Sequence, residues 1–336
     1  MERAPQGMMT FPESPRKNRR EGDKMIGVRT FIGSLLFGLV FVNSAGASDA
    51  MTPAQVNALY VQALRGNVQA QRKLQSAAQA GDAVAQFGLG DVYDKGRGSP
   101  PNYVLAAKWF RKSADQGDAG AQNNLGSLYD EGHGVPQDYV LAAKWYRKAA
   151  EQGYARAQSL LGVMYDRGQG VPQNYAEAAK WYHRAADQGD AWAQYNLATM
   201  YEEGRGRPQN YVVAAKWFRK SADQGLDNAQ FDLGVAYSRA QGVPQNYAEA
   251  ATWFRRAADQ GDAGAQGNLA VMYWLGRGVP QDYTQALKWF IVAKADGGSK
   301  KAAKGMQVLE HRATRAQIAR AQALARVWWA AHHGSR

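Results

Sequence analysis

The sequence contains no cysteine among its 336 residues. Disulfide bonds, thiolate zinc sites, a cysteine nucleophile and an acyl anchor on an N-terminal cysteine are therefore excluded. Only five histidines are present, and their scatter argues against a histidine-based metal site. We therefore expect no metal and no cofactor, and stability has to come from packing.

Long apolar runs are also scarce. The run over residues 31–42 has about a dozen residues, whereas a transmembrane helix needs about 20. Arg29 precedes the run and Ala45-Gly46-Ala47 follows it, a pattern typical of a signal peptide. We interpret residues 25–47 as a signal peptide cleaved after Ala47 and residues 1–24 as a misassigned start or disordered leader. The weaker alternative is a retained anchor. The expected location is the periplasm or the exterior.

Charge of one sign predominates. The formal net charge is +12, and a chain cleaved after Ala47 would keep 34 basic and 25 acidic residues, or +9. An excess of this size raises the question of an anionic partner.

A period of 36 residues governs most of the chain. Six units without insertion or deletion run over residues 83–298, and chance does not hold several residue types in one register six times. We call each equivalent position in the six units a slot. The predicted aromatic framework consists of Tyr93, Trp109, Tyr129, Trp145, Tyr165, Trp181, Tyr201, Trp217, Tyr237, Trp253, Tyr273 and Trp289.

The first unit, residues 83–118, predicts two helices joined by a G-x-G-x-P turn. Ala85, Leu89 and Tyr93 have the spacing of one apolar helical face. Gly96 suits a left-handed helix end, and Asn102 is a plausible N-cap of the second helix. Stacked pairs can cover apolar faces that a single pair leaves exposed. The sequence therefore predicts an all-α fold, with a degenerate helical unit over 48–82 and polar capping helices over 299–336.

The repeated pattern A-x-A-Q-x-x-L-G-x-x-Y-x-x-G-x-G-V-P-Q-[ND]-Y-x-x-A-x-x-W-[FY] resembles the Sel-one-like repeat, a relative of the tetratricopeptide repeat. The resemblance implies a right-handed α/α superhelix, or solenoid, of six 36-residue helix-turn-helix repeats that serves as a scaffold or adaptor. In exported bacterial members it suggests roles in signalling control, envelope or exopolysaccharide assembly, or host contact. The cysteine-rich branch of the family is not matched.

Some slots on the first helix vary from unit to unit, whereas the framework slots are identical. The slots of Val84, Phe87 and Asp91 are spaced i, i+3 and i+7 and form one stripe. By the resemblance, this stripe lines a concave groove that binds a protein partner. The predicted binding residues are Phe87, Asp91, Asn123, Arg156, Ser159, Trp192, Tyr195, Asn228 and Phe231. Aromatic and arginine side chains are frequent hot spots, and neutral drift at exposed positions is the alternative.

The second helices carry a column of cations that we call the basic column. Its members are Lys108, Arg111, Lys112, Lys144, Arg147, Lys148, Lys180, Arg184, Lys216, Arg219, Lys220, Arg255 and Arg256. The column either binds an anionic polysaccharide, peptidoglycan or phospholipid, or is a solvated face near helix C-termini, where cations are favoured. The interleaved acids Asp115, Glu151 and Asp187 favour the second interpretation.

Catalytic patterns are missing from the sequence. The G-x-G turns follow helices and lack the Lys-Ser/Thr of a phosphate-binding loop. Acidic residues such as Asp94 and Asp130, where the first helices end, are expected to face solvent, and no two of them stand out as a differently tuned pair. We therefore expect a non-enzymatic adaptor or regulator. The alternatives are an envelope-polysaccharide protein or a secreted host-interaction factor, and nucleic acid is not an expected partner. A membrane would be contacted only through an uncleaved signal segment.

Overall fold

The computed structural model of the chain describes residues 51–96, 100–297 and 300–333. The predicted leader and signal peptide lie outside these ranges, as does Gly98, the second glycine of the first turn. The described residues form sixteen α-helices and contain no strand, so the fold is an all-α repeat solenoid. The chain divides into two compact structural units, each of which contains several 36-residue repeats. Their boundary lies between Trp181 and Tyr182.

The described part of the first unit extends from residue 51 to residue 181. Its helices are α1 Pro53–Leu64, α2 Val68–Gln79, α3 Ala83–Lys95, α4 Tyr103–Asp115, α5 Ala119–Glu131, α6 Tyr139–Glu151, α7 Ala155–Arg167 and the first half of α8 Tyr175–Asp187. The second unit contains the rest of α8 and α9 Ala191–Glu203, α10 Tyr211–Asp223, α11 Asp227–Arg239, α12 Tyr247–Asp259, α13 Ala263–Leu275, α14 Tyr283–Ala295, α15 Lys300–Glu310 and α16 Arg315–His333.

Short polar side chains start most of the helices. The carboxylate of Asp82 accepts a hydrogen bond from the amide of Ala85 at 2.7 Å, which caps the first helix of the first repeat. The predicted cap of the second helix is confirmed, since Asn102 accepts from the amide of Leu105 at 3.0 Å. The same arrangement recurs at Asp138, Asn174, Asn210, Asn246 and Asp282.

Five of the six turns have two glycines with different tasks, and the turn after α11 has Ala240, with φ at 57°, in place of the first one. Gly96 ends α3 in the left-handed conformation, with φ at 62°. Gly170, the second glycine of its turn, has φ at 67° and lies against the preceding repeat. A Cβ at Gly170 would lie 2.0 Å from the carbonyl oxygen of Tyr139. The second position of the turn therefore needs glycine for contact between neighbouring repeats, whereas the first position, which favours glycine for its left-handed backbone, holds alanine in one repeat.

Tryptophan and alanine build the interior of both units. All six framework tryptophans are at most 9% exposed. Small residues allow helices to approach: a Cβ at Gly126 would lie 2.8 Å from the Tyr146 ring, and one at Gly234 would lie 2.8 Å from the Phe254 ring. Glycine at these slots thus makes room for the aromatic ring of the paired helix.

Two helices follow the last repeat. The hydroxyl of Thr314 accepts from the amide of Gln317 at 3.2 Å, while the Gln317 side chain accepts from the amide of Thr314, which makes a capping box. Trp328 of α16 packs edge-on against Trp289 at 5.9 Å and is itself 7% exposed. The C-terminal helix therefore covers the core of the last repeat.

Candidate functional site

The variable stripe of the first helices is the candidate binding surface. We call it the variable face, defined by the slots of Val84, Phe87 and Asp91. Trp192 is its most exposed aromatic residue, with 38% of its surface accessible. Phe87, Arg156, Tyr195 and Asn228 are half-buried.

The middle slot of the variable face, that of Phe87, lies over an aromatic ring of the paired second helix. The ring centres of Tyr195 and Phe218 are 5.8 Å apart, and those of Phe231 and Phe254 are also 5.8 Å apart. Phe87 repeats this contact with the ring of α4. Aromatic residues at this slot are therefore partly an extension of the core.

Several predicted binding residues are less accessible than the sequence suggested. Phe231 is fully buried, and Asp91, Asn123 and Ser159 are 5%, 6% and 2% exposed. The expectation that these four side chains form an exposed lining is wrong. Phe231, Asn123 and Ser159 share the slot of Phe87, which packs on the paired second helix. Asp91 occupies the third slot and has polar partners.

Asp91 illustrates such a polar partnership. Its carboxylate accepts a hydrogen bond from the Tyr60 hydroxyl at 2.7 Å and forms an ion pair with Lys95 at 2.7 Å. Burial, followed by the nearby charge of Asp91, raises the pKa of Tyr60. Tyr60 could not be predicted as a partner from the sequence, because it lies in the degenerate segment 48–82, outside the regular repeats.

Arg156 lies near the hydroxyl groups of Tyr146 and Tyr154 in the first unit. Tyr154, two residues earlier, is 39% exposed, and burial of its ring followed by the charge of Asp118 raises the pKa of its hydroxyl. The Tyr146 and Ser127 hydroxyls are 3.1 Å apart. Tyr146 is fully buried, so this part of the surface presents mainly the half-buried Arg156 side chain and the exposed Tyr154 ring.

In the second unit, Trp192 and Tyr195 form an aromatic pair on the variable face. Their rings meet edge-to-face, with centres 6.3 Å apart. The Tyr195 hydroxyl donates to the Asp232 carboxylate at 3.2 Å. This hydrogen bond and the contact with Phe218 hold Tyr195 in place. The exposed Trp192 ring therefore packs against a side chain with a fixed position.

Two first helices lack the side-chain cap that the others have. Tyr154 and Leu226 occupy the slot of the capping aspartates Asp82, Asp118, Asp190 and Asp262, and neither side chain makes a cap hydrogen bond. Replacing such a cap by an apolar residue typically costs about 1 kcal/mol. These departures lie beside the variable face. The caps predicted from the sequence are those of the second helices, so the two missing first-helix caps were not predicted.

The acidic residues at the ends of the first helices are not all solvent-facing as expected. Asp94 and Asp130 are half-buried. Burial, and next the charge of Asp91, raises the pKa of Asp94 from 3.8 to about 6. Lys95 and His133 oppose this shift. The described residues contain no group of three or more acidic or histidine side chains placed to hold a metal ion.

The basic column proves to be largely occupied by contacts within the protein. Lys112, Lys148 and Lys220 place their ammonium groups 4.6, 4.3 and 4.0 Å from the ring centres of Trp109, Trp145 and Trp217. The guanidinium groups of Arg111, Arg147, Arg219 and Arg255 donate to the hydroxyls of Tyr129, Tyr165, Tyr237 and Tyr273 in the following repeat. These cations therefore stabilise the repeat stack, which weakens their interpretation as a ligand surface.

In one repeat the slot of Arg111 holds a histidine, His183. The Nδ1 atom of His183 lies at hydrogen-bond distance, 2.8 Å, from the carboxylate of Asp187. The ring of Tyr201, the tyrosine of the next repeat, is instead covered by Arg207, whose guanidinium lies 4.3 Å from the ring centre. Arg207 stands where four other repeats have valine. A cation from the turn thus replaces the cation from the second helix.

Among the residues that the structure describes, no helix combines the length and apolar character that crossing a membrane requires.

Comparison with known proteins agrees with this architecture. The family model described as Sel1 repeat matches residues 83–118, 119–154, 155–190, 193–226, 227–262 and 263–297. No curated protein matches the chain. The crystal structure of a Sel1 repeat protein from Oxalobacter formigenes is similar over 72% of this chain and 96% of that one, with 34% identity and a TM-score of 0.63.

A second similar structure is c5321 from uropathogenic Escherichia coli, a protective antigen with an SLR fold. It shares 28% identity over 82% of this chain and 84% of its own, with a TM-score of 0.44. Proteins built from Sel1 repeats generally mediate protein–protein interactions. The six consecutive matches show that this chain belongs to the Sel1 repeat family.

Proposed function

We propose that the chain is a non-catalytic adaptor of the periplasm that holds an envelope or signalling protein on its variable face. The family supplies the general role of binding proteins, and the predicted signal peptide motivates the location. The observation that carries the proposal is Trp192: a tryptophan 38% exposed, at a variable slot, braced by Tyr195. Exposed tryptophans beside a rigid aromatic neighbour are typical anchors of protein interfaces.

The second helices support the same assignment by elimination. Most arginines and several lysines of the basic column contact framework rings or their hydroxyls, so the column offers fewer available charges than the sequence indicated. The variable face, in contrast, differs from repeat to repeat while its scaffold stays constant. Variation on a constant scaffold is the pattern expected of a specific binding surface.

A photo-crosslinking amino acid at position 192 tests the proposal in cells. We expect it to join the chain to one protein, and that product should be lost when untagged wild-type chain is overproduced as a competitor. Position 211 provides the matched control, because Tyr211 is 37% exposed in the same unit but lies at the start of the second helix. No product at 192, or the same product at both positions, would count against the variable face.

The binding energy is tested with the purified partner. Trp192→Ala should weaken binding by about tenfold or more, the size expected for a hot-spot tryptophan, while Tyr211→Ala leaves binding unchanged. Both variants should keep the helical circular dichroism spectrum of the wild type. Location is tested separately, by N-terminal sequencing of the chain from a periplasmic extract, where a start at residue 48 is expected.

A further inference from the structure

The C-terminal helix α16 has two faces of different character. Ala321, Ala325 and Trp328 are buried against the last repeat. On the opposite side lies a row of small apolar residues, of which Val327 is 68% exposed, the highest value among the exposed large hydrophobic residues of the described chain. The other exposed members of the row are Ala316, Ala319, Ala323, Ala330 and Ala331.

Arginines accompany this row along its whole length. Arg312 precedes the helix, and Arg315, Arg320 and Arg326 are spread along it. All four are exposed, and none forms an ion pair with another described residue. From residue 311 to residue 336 the sequence contains five arginines and no aspartate or glutamate. Nearly half of the net charge of +12 is therefore collected in this segment.

The second helices of the repeats do not share these properties. There, acids such as Asp115 and Glu151 are interleaved with the cations, and many of the cations contact tyrosine or tryptophan rings. On α16 the guanidinium groups are available and the intervening surface is apolar. Exposed arginines without interleaved acidic residues are attracted to the negative surface of anionic membranes, and Val327 places an exposed apolar side chain among them.

We propose that the outer face of α16 docks on the surface of an anionic phospholipid bilayer. Arg312, Arg315, Arg320 and Arg326 would contact lipid phosphates, and Val327 would enter the boundary between headgroups and acyl chains. Complementary charge is the reason for this choice of partner, since these four arginines have no ion-pair partner among the described residues and α16 carries no carboxylate side chain. The helix adds a peripheral membrane contact that is separate from the variable face.

Vesicle flotation with the full-length chain tests this contact. We expect binding to phosphatidylcholine vesicles that contain phosphatidylglycerol to exceed binding to pure phosphatidylcholine vesicles, and high salt to remove the difference. The apolar run at residues 31–42 is the same in every variant and meets both kinds of vesicle, so the comparison isolates the charge-dependent part. Each basic residue near an anionic surface contributes roughly a fivefold factor in partitioning.

Arg320→Glu combined with Arg326→Glu should therefore lower the anionic preference by about 25-fold or more. The charge-matched control is Lys108→Glu with Lys144→Glu, since both lysines are exposed on second helices. The control changes the net charge equally but leaves α16 intact, and it should retain most of the preference. Equal losses in both variants would show diffuse attraction by net charge and would overturn the proposal.

The absence of cysteine permits a local readout. Val327→Cys labelled with an environment-sensitive dye should show a blue-shifted emission on phosphatidylglycerol vesicles. Val104→Cys, at a residue 64% exposed on α4, should show no such shift. An unshifted dye at position 327, or equal shifts at both positions, would overturn the lipid contact and leave α16 as a solvent-facing cover or a surface for an acidic protein.

Discussion

Arg219 in the second helix of one repeat lies between two aromatic rings, those of Tyr237 and Trp253 in the next repeat. Its guanidinium carbon is 5.4 Å from the centre of the Tyr237 ring and 5.6 Å from that of Trp253, and it donates a hydrogen bond to the tyrosine hydroxyl. Three other arginines, Arg111, Arg147 and Arg255, contact the tyrosine of the following repeat in the same way. This contact links consecutive repeats without burying a carboxylate partner.

Arg219→Ala should lower the free energy of unfolding by about 1–2 kcal/mol, because a half-buried cation–π contact and a hydrogen bond are lost together. Arg219→Lys should recover only part of this loss, since an ammonium cannot reproduce the planar fork of the guanidinium. Urea unfolding followed by circular dichroism provides the measurement. The exposed Lys216, one turn away, serves as control: Lys216→Ala should change stability little. Equal effects of the two alanine substitutions would contradict the role of Arg219.

Arg207 and His183 allow the same contact to be tested by exchange. Arg207→Val, which installs the common residue of the turn, uncovers the Tyr201 ring and should destabilise the protein by about 1 kcal/mol. His183→Arg restores the cation that most other repeats have at this slot. In that background Arg207→Val should cost clearly less, because a second guanidinium can cover the ring. A double-mutant cycle measures the coupling, and strictly additive changes would refute it.

The repeat fold could be predicted from the sequence because each 36-residue unit carries its own signals. The periodic Trp109 and Tyr93 slots, the caps such as Asn102 and the left-handed Gly96 specify two helices and their turn, and the structure has them at these places. Six copies of one pattern make such local signals unambiguous, since an accident in one copy is exposed by the other five.

The candidate site was less predictable because it depends on contacts between slots that are distant in sequence. Periodicity places Phe231 on the variable face but does not show that its ring packs on Phe254. Likewise, nothing in the regular repeats identifies Tyr60 as the partner of Asp91, because Tyr60 lies in the degenerate segment 48–82. The arginine–tyrosine contacts did leave a signal, namely that both slots repeat with the same period 18 residues apart, as for Arg111 and Tyr129.

Gly242 and Gly225 separate the two demands made on glycine. Both have positive φ, at 74° and 94°, but a Cβ at Gly242 would lie 2.0 Å from the carbonyl oxygen of Tyr211, whereas one at Gly225 would meet nothing within 4 Å. Gly225→Ala should therefore cost about 1–2 kcal/mol for backbone strain alone. Gly242→Ala should cost clearly more, because the turn must also move away from the preceding repeat. Thermal unfolding of the two variants gives the comparison, and similar losses would show that the close approach is unimportant.

Asp94 should make stability depend on pH in the acidic range. Its pKa is raised from 3.8 to about 6 in the folded protein, so the folded state holds more protons than the unfolded state between these values. The free energy of unfolding should therefore fall as the pH rises from about 4 to about 6. Above that range the effect of Asp94 should stay constant. Asp94→Asn should flatten this part of the urea-midpoint profile and raise stability at neutral pH. Asp115→Asn, at an exposed carboxyl of the second helix, controls for the removal of one negative charge; the same flattening in both variants would contradict the assignment.

Leu226 tests whether a missing helix cap serves binding. The backbone at Leu226 already has cap geometry, with φ at −66° and ψ at 115°, close to the −62° and 115° of the capping Asp190. Leu226→Asp should therefore stabilise the protein by about 1 kcal/mol, and Asp190→Leu should destabilise it by a similar amount, as measured by urea unfolding. If the uncapped end is kept because Leu226 contacts the proposed partner, Leu226→Asp will bind that partner more weakly despite its greater stability. A variant that is both more stable and equally tight in binding would show that the missing cap has no part in recognition, and would confine the site to the neighbourhood of Trp192.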